Sequence, residues 1–175
     1  MSLGAGARAA PVVFVAALLQ TVIVSSLLVG GGAPSVLLVA VISIGLLRGA
    51  VAGAVAGFGG GIVVDLVTLD TLGVTSLVLT LAGFWAGRYG ETTGRGRRLA
   101  PLVAVPVITV LAGVFAFLLR YLLGEEVVAQ HALVTALVPA VLLNTALALP
   151  VHALVRRIVQ ESQVAPSARE VELVV

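Results

Sequence analysis

Few side chains in this 175-residue chain could catalyse a reaction or bind a metal. The absence of cysteine excludes disulfides, thiolate nucleophiles and zinc–thiolate sites. The two histidines, His131 and His152, would lie about 30 Å apart on one helix, so they cannot share a metal within it. No serine has the Gly-x-Ser-x-Gly frame, and no Walker A sequence is present. We therefore expect no catalytic residue, no metal site and no cofactor, which argues against an enzyme.

One acidic side chain follows directly after a long apolar segment. Asp65 ends that segment, and Asp70 comes next in the same connection. An acid within a membrane-spanning segment is a candidate for ion or proton handling. Near the end of a span, however, it can accept hydrogen bonds from the backbone amides that begin the next helix. We favour this second role, in which Asp65 shapes the turn and Asp70 is its companion.

The densest pattern in the sequence is a row of glycines at every fourth position. Gly49, Gly53, Gly57 and Gly61 would share one face of a helix. In lipid, helices associate through close backbone approach, which rows of small side chains permit. This row could pack inside the protein, which we favour, or it could receive the helix of a partner protein.

The segments that carry these residues are strongly apolar. The chain is 60% hydrophobic and only 10% charged, with a mean hydropathy of +1.21. Soluble domains have about a quarter of their residues charged, so this chain has too little polar surface for a soluble fold. The sequence pI near 9.9 arises from scattered arginines rather than from one basic face, so nucleic-acid binding is not expected. The composition indicates an all-α integral membrane protein.

We predict a bundle of six transmembrane helices within residues 1–157 and a short cytoplasmic tail at residues 158–175. The spans are expected at about residues 11–29, 34–47, 49–65, 71–88, 99–121 and 130–155. The second and third spans are separated at Arg48, because one helix of their combined length would hold this arginine near the bilayer centre. Pro139 and Pro150 are expected to kink the last span or to end it early.

The positions of the arginines orient the chain, because cytoplasmic loops of membrane proteins are enriched in basic residues. With both termini in the cytoplasm, nine of the ten arginines lie on the cytoplasmic side and only Arg120 lies outside. A five-span alternative, with the N-terminus outside, separates the arginines less well and buries Arg48. We expect Arg95, Arg97 and Arg98 to act as a topogenic signal, with attraction to anionic lipid as a second effect.

Two amides interrupt the apolar spans. Gln20 and Asn144 are expected to form hydrogen bonds between helices, the usual role of such residues in membranes. A channel or ion carrier would need several polar groups along one path, and only these two and Asp65 could serve.

Residues 49–88 carry three motifs in a particular order. The segment 49–65 is glycine-rich and ends in an aspartate, residues 72–77 begin with Leu-Gly, and residues 81–88 end in Gly-x-x-x-Gly-Arg. With this order and this small size, the chain resembles the rod shape-determining protein MreD family. It departs from the family at residues 59–61, where three glycines stand in place of the usual bulky apolar residues.

The resemblance implies a non-enzymatic subunit of the bacterial cell-elongation complex, in the inner membrane, that controls cell shape and lateral peptidoglycan synthesis. Such a protein would bind MreC and link to MreB, RodA and a penicillin-binding protein. The resemblance also implies a fold similar to the S-component of energy-coupling-factor vitamin transporters. The alternative function is therefore a vitamin-binding S-component. Only 5% of the residues are aromatic, however, so few aromatic side chains are present to line a vitamin-binding pocket.

Overall fold

The structure is a computed structural model that describes residues 11, 13–20, 34–69, 71–94, 99–124 and 130–160. Every regular element within these residues is an α-helix, which confirms the expected all-α class. The helices are α1 (residues 13–20), α2 (Val36–Arg48), α3 (Ala50–Thr68), α4 (Val74–Thr93), α5 (Ala100–Leu122) and α6 (Gln130–Gln160).

Three of the described helices are long and apolar enough to cross a membrane. These are α3, α5 and the part of α6 from Leu137 to Ile158. With 13 residues, α2 is about 20 Å long, shorter than the hydrocarbon core of roughly 30 Å. In α4, Arg88 and Glu91 lie in the last two turns and lower its apolar character. The described helices thus agree with a membrane protein, and the count of six spans stays a prediction.

The 13-residue helix α2 lies at the centre of the bundle. Ten of its thirteen residues are buried, and it packs against α3, α4, α5 and α6. A helix that contacts protein on all sides needs no polar face, which explains its uninterrupted apolar sequence. Leu37, in its first turn, contacts the middle of α3 near Gly60, so α2 begins inside the bundle and not at its end.

A single residue separates α2 from α3, at the position where Arg48 indicates a break. Gly49 has a φ of 98° and a ψ of 176°, a combination that residues with a Cβ do not readily adopt. Its amide donates a hydrogen bond to the carbonyl oxygen of Gly45 and closes the last turn of α2. The chain then reverses direction into α3.

Prolines do not end the helices that contain them. Pro139 and Pro150 both lie inside α6, which continues to Gln160. Of the two expected effects, an early end of the helix is therefore wrong, and a kink stays a prediction. Helices in membranes tolerate proline when neighbouring groups compensate for the missing backbone hydrogen bond. Pro106 lies within α5 in the same way.

Candidate functional site

The glycine row of α3 lies against α4 in the most extensive helix contact of the described bundle. A Cβ added to Gly53 would collide with the carbonyl oxygen of Gly83, and a Cβ added to Gly83 would collide with that of Gly53. Both contacts would be closer than 3.0 Å, a distance that real Cβ atoms essentially never reach. The two backbones therefore touch, and each position requires glycine.

The same contact repeats along the length of both helices. The further pairs are Gly57 with the backbone of Leu79, Gly61 with that of Ser76, and Gly87 of α4 with that of Ala50. Residue numbers rise along α3 as they fall along α4, so the two helices are antiparallel. Since α4 occupies this face, a partner helix could not reach Gly53, Gly57 or Gly61 in this structure.

Two glycines that the sequence reasoning missed extend this contact to α2. A Cβ on Gly45 would lie 2.6 Å from the carbonyl oxygen of Gly83, and one on Gly90 would lie 2.8 Å from that of Leu46. Gly45 precedes Gly49 by four residues and so continues the row towards the N-terminus. This spacing is the sequence pattern from which Gly45 could have been predicted. Gly49 itself lies in the turn between α2 and α3 and not within a helix.

Asp65 is completely buried at the end of this contact. Its Oδ2 atom accepts hydrogen bonds from the amides of Gly73, at 2.8 Å, and Ser76, at 3.4 Å. These amides belong to the start of α4, whose N-cap residue Gly73 has no side chain with which to cap the helix. Asp65 therefore caps α4 from the end of α3, with its Oδ2 atom placed against the first amides of that helix. This geometry is the one that a turn-shaping role requires.

The Leu-Gly segment and Ser76 complete the connection. Gly73 has a φ of 96°, a left-handed conformation that favours glycine. The hydroxyl of Ser76 donates to the carbonyl oxygen of Phe58 at 3.0 Å and so ties α4 back to α3. We call the whole contact the α3–α4 seam, and its residues are Gly53, Gly57, Gly61 and Asp65 on one side and Gly73, Ser76, Gly83 and Gly87 on the other.

A second polar cluster surrounds the N-terminus of α2. Asn144 accepts a hydrogen bond from the amide of Ser35 at 2.7 Å and donates to the hydroxyl of Thr109 at 3.3 Å. Gln20 accepts from the amide of Leu37 at 3.4 Å and donates to the carbonyl oxygen of Pro34 at 3.2 Å. Because α2 begins inside the bundle, its first amides need such partners. The expected interhelical hydrogen bonds of Gln20 and Asn144 are confirmed.

Within the described residues, four buried side-chain atoms have no hydrogen-bond partner: Ser43 Oγ, Asp65 Oδ1 and both ring nitrogens of His152. Ser43 follows Ser35 by two helical turns in α2, and His152 follows Asn144 by two turns in α6. Both residues lie in helices that pack against each other, and Asn144, Ala148, His152 and Val155 are the buried positions of α6 among its described side chains.

Some candidate residues lie outside the described residues. These are Asp70, Arg95, Arg97, Arg98, the side chain of His131 and the tail from residue 161 onwards. Among the side chains that are described, no group of three histidine, aspartate or glutamate residues could hold a metal ion.

Comparison with known proteins assigns the chain to a family. No curated protein and no solved structure matches it, so its expected likeness to transporter S-components stays a prediction. The family model of the rod shape-determining protein MreD, however, matches residues 8–161, which include both the α3–α4 seam and the cluster at the start of α2. The chain therefore belongs to the MreD family of rod shape-determining membrane proteins.

Proposed function

We propose that this protein is a non-enzymatic subunit of the bacterial cell-elongation complex in the inner membrane. It binds MreC and links MreB to RodA and its penicillin-binding partner during lateral peptidoglycan synthesis. The family match over residues 8–161 is the observation that carries this proposal. The geometry supports it, because Asp65, Asn144 and Gln20 form hydrogen bonds between elements of the bundle. A bundle whose membrane-embedded polar side chains hold helices together agrees with a protein that acts through its outer surface.

The outer face of α3 is the surface that we assign to MreC. It exposes Val51, Val55, Phe58 and Leu66 at helical spacing, opposite the face that packs on α4. Gly59 lies on this exposed face, and a Cβ added there would meet nothing within 4 Å. Unlike the seam glycines, Gly59 has no packing role inside the bundle, and its small size permits close approach of another helix.

Substitution at Gly59 tests this placement without disturbing the fold. We expect Gly59→Leu to lower the amount of MreC that co-purifies with the protein in mild detergent, with no loss of thermal stability. Ala146→Leu is the matched control, since Ala146 is exposed on α6. If both variants retain MreC as the unaltered protein does, the interface lies elsewhere. If the unaltered protein itself retains no MreC, the proposed function is wrong.

The alternative function of a vitamin-binding transporter subunit receives no support. The matched family is one of rod shape-determining proteins, and the pocket between α4 and α5 is lined by apolar and aromatic side chains without a charged group. A vitamin site needs a few convergent polar groups that fix the orientation of the ligand.

We further propose that both termini lie in the cytoplasm. Glu91 in the last turns of α4 accepts a hydrogen bond from the amide of Ala50, at 3.2 Å, so Arg88 and Arg48 lie at the same end of the bundle. Arg120 lies at the opposite end of α5 from the α4–α5 connection. This separation agrees with the excess of basic residues in cytoplasmic loops. Alkaline phosphatase fused after Arg98 should be inactive, and an active fusion would contradict this orientation.

A further inference from the structure

A groove of about 380 Å³ runs between α4 and α5 on the outside of the bundle. Its floor consists of buried residues, Val78 and Ala82 from α4 and Ile108 and Ala112 from α5. Two of these four residues are alanines, whose small side chains leave the floor open. Binding pockets for small molecules have volumes of roughly 300–1,000 Å³, so the groove is large enough for a ligand of modest size.

The walls of the groove are more exposed than its floor. Trp85 of α4 is 60% exposed and Leu111 of α5 is 58% exposed. Because α4 and α5 are joined by a short connection, they are antiparallel, and Trp85 and Ile108 mark the end of the groove nearest to that connection. Tryptophan favours the level of the lipid headgroups, where its ring meets apolar groups and its N–H meets polar ones.

A positive charge follows the groove at this end. Arg88 lies one turn beyond Trp85 on the same face of α4, and its side chain is 59% exposed. Glu91 pairs with it at 3.3 Å and also accepts the amide hydrogen bond of Ala50, which anchors the pair at the surface. One contact with Glu91 leaves other donors of the guanidinium for an anion, since arginine has five N–H groups.

We propose that this groove binds one acyl chain of an anionic phospholipid whose phosphate group pairs with Arg88. The acyl chain covers the two alanines of the groove floor. The phosphate accepts hydrogen bonds from the guanidinium of Arg88, which Glu91 already holds in place. This lipid binding does not depend on the proposed function, because it requires only that the protein lies in a membrane.

Lipid binding by the purified full chain, followed by native mass spectrometry, tests the proposal. The probes are phosphatidylglycerol and phosphatidylcholine with the same acyl chains, at equal concentration. Both lipids carry the phosphate, but the quaternary ammonium of phosphatidylcholine cancels its charge and weakens the pairing with Arg88. We therefore expect the protein to prefer phosphatidylglycerol about fivefold, which corresponds to about 1 kcal/mol, the contribution of one arginine near a membrane surface. Equal binding of the two lipids would overturn the proposal.

Two pairs of variants separate the contribution of the acyl chain to binding from that of the lipid headgroup. We expect Ala112→Leu to lower binding of both lipids, because the larger side chain fills the space above the floor of the groove. Ala146→Leu, at an exposed position of α6, should leave binding unchanged. We expect Arg88→Gln to remove the preference for phosphatidylglycerol, whereas Arg157→Gln, at an exposed arginine of α6, retains it. Normal binding by Ala112→Leu would contradict the assigned groove.

A photo-crosslinker in place of Leu111 identifies the occupant of the groove directly, without a substitution on the groove floor. Leu111 is exposed at the wall, so substitution there leaves the packing of the bundle intact. We expect the crosslinked protein, isolated from membranes, to gain the mass of a phospholipid. A crosslink to a second copy of the chain or to another protein would overturn the proposal.

Discussion

Replacing Gly57 with alanine adds one methyl group at the closest approach of α3 to α4. The new Cβ would meet the backbone of Leu79 and Thr80 closer than 3.0 Å, and backbone atoms cannot rotate away as a side chain can. Extra groups in a packed core cost about 1–3 kcal/mol, and we expect the upper end here. Gly59→Ala is the matched control two residues later, since its Cβ meets nothing, and it should stabilise the helix by up to about 1 kcal/mol.

The two variants should therefore differ by about 3–4 kcal/mol, or by roughly 6–16 °C in melting temperature for a chain of this size. The assay is thermal unfolding of the purified full chain in mild detergent, followed by the fluorescence of Trp85, the only tryptophan. We expect Gly57→Ala to melt well below the unaltered protein and Gly59→Ala to melt at or above it. Equal melting temperatures for the two variants would refute the close contact of α3 with α4.

Three further substitutions have expected outcomes in the same thermal assay. Asp65→Asn should retain most of the stability, because an amide oxygen can still accept from Gly73, whereas Asp65→Ala should lose about 1–2 kcal/mol; equal losses would contradict the capping role. Asn144→Leu should lose about 1–3 kcal/mol, because the half-buried amide of Ser35 loses its acceptor; full stability would contradict that hydrogen bond. His152→Leu should raise the melting temperature, because it removes two buried nitrogens that have no partner; a lower melting temperature would show that the imidazole has a partner in the native protein.

The sequence was informative wherever a residue type has few possible environments in a membrane. A buried arginine is costly, so Arg48 indicates the break that Gly49 makes between α2 and α3. A row of glycines needs a close neighbour, so Gly53 and Gly57 indicate a tight contact. An acidic side chain at the end of a span can accept hydrogen bonds from backbone amides, as Asp65 does at the start of α4.

The arrangement of the helices was much less accessible from the sequence. In lipid, an apolar side chain is equally suited to face protein or acyl chains, so uniform hydropathy does not reveal that α2 is central. For the same reason, the sequence does not indicate that α4 is the neighbour of the glycine row. Gly45 was missed because it precedes the break at Gly49 and therefore belongs to another helix. His152 is buried although it lies one turn from Arg156, which the sequence alone does not show.

We propose that this protein is part of the cell-elongation complex and acts there by binding. The most direct measurement is purification of the native, tagged protein from its own membranes in mild detergent, followed by identification of everything that remains bound. We expect MreC and RodA to be recovered with it. Recovery instead of an ATPase module with a transmembrane coupling subunit would contradict the claim and would support the transporter alternative.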